Sequence, residues 1–119
     1  MTNYTHETLL AAFKAGQRNF VGVDLRDANL TSVNLTGANL TGANLTGANL
    51  TSVNLYEADL TGADLTMADL TRADLTRADL RGANLSSVNL YGADLTSVNL
   101  YDTNLYWADL TREIGRAHV

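Results

Sequence analysis

The chain has 119 residues with no cysteine, no proline and nine glycines, and its thirteen acidic and eight basic residues give a net charge of −5. A single domain of this length must hold together by packing, since neither disulfides nor thiolate-bound metal is open to it. The acidic balance disfavours direct binding to nucleic-acid phosphates, and no apolar run is long enough to cross a bilayer.

The opening residues, Met1-Thr2-Asn3-Tyr4-Thr5-His6-Glu7, lack a basic segment followed by an apolar one, so a soluble, cytoplasmic protein without a membrane partner is expected. Thr5 suits the N-cap of a helix and Glu7 its first turn, where an oxygen and a negative charge answer free backbone N–H groups. Leu9, Leu10 and Phe13 make one apolar stripe, stopped by Lys14 and Gly16. The spacing predicts a short helix over 6–15, inside an N-terminal helical cap of residues 1–17.

From Leu25 to Leu110 a leucine recurs at every fifth position, eighteen in all, and Phe20 extends the series one step earlier. Ala or Val stands two residues before each leucine, with Thr103 the sole departure, and Asn or Asp always stands one before. Thr, Ser, Arg or Tyr follows, then a variable residue that is often Gly or Ser. At about 100° per residue, five steps sweep the leucines around an α-helix without forming a stripe. On an unbroken strand an odd period throws alternate leucines onto opposite faces. A chain that bends once in every five residues keeps each leucine, and the small residue two before it, pointing the same way, so the chain must coil. The coil size does not follow. Ser52-Val53-Asn54-Leu55-Tyr56 recurs as Ser87-Val88-Asn89-Leu90-Tyr91, a shift that marks no four-repeat period.

Tandem copies of Ala-(Asp/Asn)-Leu-X-X, as in Ala38-Asn39-Leu40-Thr41-Gly42, resemble the signature of pentapeptide-repeat proteins across residues 18–112. The resemblance implies an all-β solenoid, a right-handed quadrilateral β-helix of four pentapeptides per coil, with leucine and Ala/Val inside and the other three positions outside. In that register Leu25, Leu45, Leu65, Leu85 and Leu105 are core-forming residues of one column. Arg77 then meets Glu57 as a salt bridge, and Arg81 meets Tyr101 as a cation–π contact.

Asp59, Asp64, Asp69, Asp74 and Asp79 occupy successive repeats, but a four-sided coil makes neighbours only of Asp59/Asp79 and Asp74/Asp94, too sparse a set for calcium's oxygen shell. Hydrogen bonding at the corners accounts for a position that is always Asn or Asp. Arg72, Arg77 and Arg81 read as charge compensation beside them. The threonines after most leucines suit β structure and exposed corners better than a ligand-binding array. His6 and His118 lie in the two terminal segments, no set of nucleophile, base and orienting acid can be nominated, and neither GxxxxGK[ST] nor GxGxxG occurs. The expectation is no enzyme: no catalytic residue, metal, cofactor or small-molecule substrate.

Solenoids expose apolar ends that need caps. Residues 113–119 form a C-terminal tail whose one large interior candidate is Ile114. Just before it Tyr101, Tyr106 and Trp107 take outward positions of the last coil. With Ile114 they form the candidate partner or dimer interface, because Tyr and Trp dominate interface energetics, and a homodimer through this end is the simplest closed assembly. Three readings of function stay open. The first is a non-catalytic structural or protein-interaction scaffold. The second, implied by the resemblance, is a DNA-mimicking protein that binds a type II topoisomerase (gyrase), against which stand the short rod, the modest charge and the interrupting arginines. The third is a consensus-like or engineered repeat scaffold without a native function, suggested by identical units such as Thr36-Gly37-Ala38-Asn39-Leu40 and countered by Met67, Thr103 and Trp107.

Overall fold

The structure is a computed structural model that describes residues 4–115. Each repeat folds locally in two steps. In the first, the Oδ1 of the Asn or Asp accepts the N–H two residues on, as Asn29 does from Thr31 (3.2 Å), Asp74 from Thr76 (2.9 Å) and Asn104 from Tyr106 (2.9 Å). Many threonine hydroxyls donate to the same oxygen, as Thr41 does to Asn39 at 2.7 Å. This side-chain turn makes Asn and Asp interchangeable, since only an acceptor is used. In the second step the leucine C=O accepts the N–H three residues on, from Val23 onto Phe20 (3.3 Å) to Glu113 onto Leu110 (3.2 Å). The second central residue of that turn has φ between 57° and 64° wherever it is not glycine, the mark of a type II turn. Gly42 sits there without strain, whereas Asp27, Met67 and Trp107 hold the same left-handed conformation with side chains to accommodate.

Stacking follows. Parallel bridges join residues twenty apart without interruption, from Asn19↔Asn39 to Asp94↔Ile114, so a coil holds four pentapeptides. Leu45 N–H donates to Asp64 C=O (2.7 Å) and Gly47 N–H to Thr66 C=O (2.9 Å) in the next coil, while Asn44 N–H donates back to Val23 C=O (2.9 Å). With the turn and the Asn/Asp cap, every N–H of an interior repeat has a partner, as buried backbone requires. Each side contributes a single bridged residue, so the wall is a stack of isolated bridges; the turn takes up the residues that would have lengthened a strand.

Inside, the leucines from Leu25 to Leu100 and the Ala or Val partners from Val33 to Val98 are buried, and among the described residues no polar or charged residue is. Leu25, Leu45, Leu65 and Leu85 fill one column; Leu105, below them, is only half-buried. Thr103 replaces the small apolar residue and satisfies its hydroxyl by donating to Leu80 C=O (2.7 Å).

Helix α1 (His6–Lys14) closes the first coil. Thr5 caps it reciprocally with Thr8, Leu9 and Phe13 are buried, and Leu10 is half-buried against the core. A clamp holds it down: Arg18 lies 3.7 Å over the Phe13 ring and its Nη1 donates to Phe13 C=O (2.9 Å), while Tyr4 meets Phe20 edge-on.

The far end differs from expectation at Ile114. It is 58% exposed, because counting five from Asp109 places it at the outward Asn/Asp position, where it bridges Asp94 and accepts from Leu95 N–H (2.7 Å). The leucine position of that repeat falls to Gly115, which has no side chain to offer, and the Ala/Val position to the exposed Glu113. The repeat register therefore runs past residue 112. The tail beyond 115, including His118, lies outside the described residues.

Candidate functional site

The two ends of the rod are unlike. Helix α1 seals the first coil, whereas at the last coil the leucine columns open: Leu100 is buried, Leu105 half-buried and Leu110 42% exposed. The backbone opens with them. The N–H groups of Leu105, Trp107 and Leu110 have no acceptor among the described residues. Around this opening stand Tyr101, Tyr106 and Trp107, each more than half exposed, with Trp107 at 76%. Tyr106 and Trp107 meet edge-on at 5.1 Å between ring centroids, a fixed aromatic corner. Trp107 also sits at a left-handed turn position (φ 64°). Ile114 lies at the same end but on the side of Asp94.

The charged residues arrange themselves differently. Glu57 and Arg77 pair across adjacent coils (3.4 Å), as the register requires. Arg81 does not stack on Tyr101. Its Nε and Nη2 donate to Asp79 Oδ1 (2.9 Å) and Oδ2 (2.6 Å) within its own repeat. Arg26 holds Asp24 identically, so the local word Asp-Leu-Arg carries a forked ion pair, which a neighbouring ring cannot outbid. The guanidinium hydrogen bonds hold the carboxyls of Asp24 and Asp79 below the ordinary aspartate range. Asp59 and Asp79 stack at bridge distance, as do Asp74 and Asp94, with an Oδ1 of each already accepting a backbone N–H. Among the described residues no group of three or more His, Cys, Asp or Glu is placed to hold a metal ion. No described helix is long and apolar enough to cross a membrane.

Comparison with known proteins bears on this geometry directly. The profile of the family described as Pentapeptide repeats matches residues 17–47, 38–77 and 73–112. The chain belongs to the pentapeptide-repeat family. Among solved structures this pentapeptide-repeat chain is similar to Rfr23 from the cyanobacterium Cyanothece 51142, at 42% identity and a TM-score of 0.76, covering 78% of this chain and 64% of that one. It is also similar to HetL, a protein involved in heterocyst differentiation regulation from the cyanobacterium Nostoc sp. strain PCC 7120, at 31% identity and a TM-score of 0.70, covering 80% and 54%. A third likeness, to a pentapeptide-repeat protein of the Arabidopsis thaliana thylakoid lumen, has 36% identity and a TM-score of 0.51, covering 83% and 66%. The chain thus spans between 54% and 66% of the length of these relatives. No curated protein sequence matches it.

Two features at the ends escaped the sequence. The Arg18 clamp had a signal, a basic residue at the helix–coil junction, but its target emerges only once α1 is folded over the coil. The outward phase of Ile114 was available by counting and was masked by its hydrophobicity.

Proposed function

We propose that this pentapeptide-repeat chain is a non-catalytic interaction scaffold whose C-terminal rim docks protein, in the simplest case a second copy of itself. The observation that carries the reading is the contrast between the two ends: one is sealed by a clamped helix, and the other presents Tyr101, Tyr106, Trp107, Leu110 and Ile114 around exposed leucine columns and N–H groups with no acceptor among the described residues. Exposed aromatics gathered beside an uncovered apolar face are the composition of an interface, and a two-fold contact would cover both rims at once. A right-handed sense of winding and a cytoplasmic setting belong to the same reading.

The test is solution mass by light scattering for the wild type and for Tyr106→Ala/Trp107→Ala, with circular dichroism confirming both folded. A dimer that becomes monomeric in the variant supports the reading, and a wild type that is monomeric at all concentrations removes the self-association. The gyrase-binding, DNA-mimicking alternative draws on the stacked pairs Asp59/Asp79 and Asp74/Asp94. It takes second place because Arg77 and Arg81 neutralise the adjoining carboxylates. Titrating supercoiling by gyrase with the protein separates the two, since the scaffold reading expects no inhibition.

A further inference from the structure

Three of the six described arginines in the repeats are spoken for by carboxylates: Arg26 by Asp24, Arg77 by Glu57 and Arg81 by Asp79. Arg72 and Arg112 have no carboxylate within ion-pair distance among the described residues, and the coil brings these two together. Arg72, Gly92 and Arg112 are successive members of one column, tied through Arg72 N–H to Tyr91 C=O (2.8 Å) and Gly92 N–H to Thr111 C=O (3.1 Å). Between the two guanidinium groups stands a residue without a side chain. The Arg72 stem takes the space: a Cβ on Gly92 would lie 3.4 Å from Arg72 Cγ. The result is a groove of about 670 Å³ lined by Arg72, Tyr91, Gly92, Arg112 and Ile114, with no acidic side chain among the described residues of its lining. At a spacing of about 4.8 Å per coil the two arginine Cα atoms stand about 10 Å apart, within reach of one ion from either side.

We infer that this groove binds an oxyanion of the phosphate class, held between the Arg72 and Arg112 guanidinium groups with the Tyr91 hydroxyl as a further donor. Guanidinium forks match phosphate oxygens bidentately, and on an acidic chain two cations facing one gap without a carboxylate between them are a local exception that an anion completes. Ile114 supplies an apolar wall, which favours a phosphomonoester whose organic group lies against it over the bare ion. The inference goes beyond the rim-docking reading, and the groove shares with the rim only Ile114.

The test uses the full chain, with amide chemical shifts followed during titration with sodium phosphate, with phenyl phosphate, and with sodium chloride at matched ionic strength. Saturable shifts at Tyr91, Gly92 and Arg112 under phosphate but not chloride are expected. Arg72→Gln and Arg112→Gln should each weaken binding by about tenfold or more, charge-assisted hydrogen bonds being the strong ones. Arg77→Gln, on a different side of the coil, should leave affinity unchanged. Tighter binding of phenyl phosphate than of the inorganic ion assigns the source to organic phosphomonoesters, and equal binding to the free ion. Shifts reproduced by chloride, or affinity undiminished in both Arg72→Gln and Arg112→Gln, would overturn the site. Because binding is read on the chain alone, a monomer in light scattering would not imitate either result.

Discussion

Replacing Met67 with glycine is expected to raise the thermal midpoint even though it deletes an entire side chain. Met67 is held at φ 60° and is 63% exposed, so it has little packing to lose. The left-handed conformation costs an L-residue about 1–2 kcal/mol. Glycine's extra freedom in the unfolded chain takes back about 0.5–1 kcal/mol. The net gain is about 0.5–1 kcal/mol, which at an unfolding entropy of about 0.25 kcal/mol per kelvin for a chain of this length raises the midpoint by about 2–4 °C. Gly42→Ala is the mirror experiment. Its φ is 66° and an added Cβ meets nothing within 4 Å, so the midpoint should fall by a similar amount from backbone strain alone. Gly47→Ala adds a collision with Asp27 Oδ1 and should fall further, and Asp27→Ala in the same chain should bring it back to the Gly42→Ala level. Calorimetric melts of these variants check the scheme. A lowered midpoint for Met67→Gly together with an unchanged one for Gly42→Ala would refute the left-handed turn.

Position along the rod should set the cost of a lost leucine: Leu65→Ala, fully buried between Leu45 and Leu85, is expected to cost about 2–5 kcal/mol, and Leu105→Ala, half-buried at the open end, clearly less in the same denaturant titration. Equal costs would mean that the last coil is as enclosed as the middle. Acid should weaken the fold with a definite sign. Asp24 and Asp79 have folded-state pKa values lowered chiefly by their arginine hydrogen bonds, so their stabilisation is complete above the unfolded aspartate value and is lost as pH falls through the lower folded one. Thermal midpoints should therefore decline below about pH 4, less steeply in an Arg26→Gln/Arg81→Gln variant, and parallel curves for the two proteins would remove the ion pairs from the account. At the sealed end, Thr5→Ala removes the reciprocal cap with Thr8 and should cost about 1 kcal/mol of stability, read as earlier amide exchange in α1 than in the central coils.

The solenoid was legible in the sequence because its interior demand is local and repeated. A leucine every five residues with Ala or Val two before it excludes both regular alternatives, and the Asn/Asp position announces its own side-chain turn. Coil size was not legible from the pattern, since it depends on the angle the backbone turns at each corner, which all repeats share; the family resemblance supplied it, and the twenty-residue bridges agree. Contacts between coils were legible only where no local partner competed. Arg77 found Glu57 across the coil because no carboxylate two residues before it offered a fork, whereas Arg81 had Asp79 and took it. The Arg72–Arg112 groove joins residues forty apart in sequence through an empty position, a relation that appears only once the columns are in place.

The five-residue interior and the twenty-residue coil together have a consequence for how such a chain can change. To the lumen, one pentapeptide is as good as another, so removing or adding a single repeat leaves the core filled and the turns intact. Outside, every residue beyond the change moves to the next side of the rod. Losing one repeat between Tyr91 and Arg112 would carry Arg112 around a corner from Arg72 and disperse the groove without disturbing a buried leucine. Removing four would restore the alignment of sides on a rod one coil shorter. Interior and exterior thus obey different arithmetic, and the surface can be rearranged in discrete rotations while the fold beneath it stays the same.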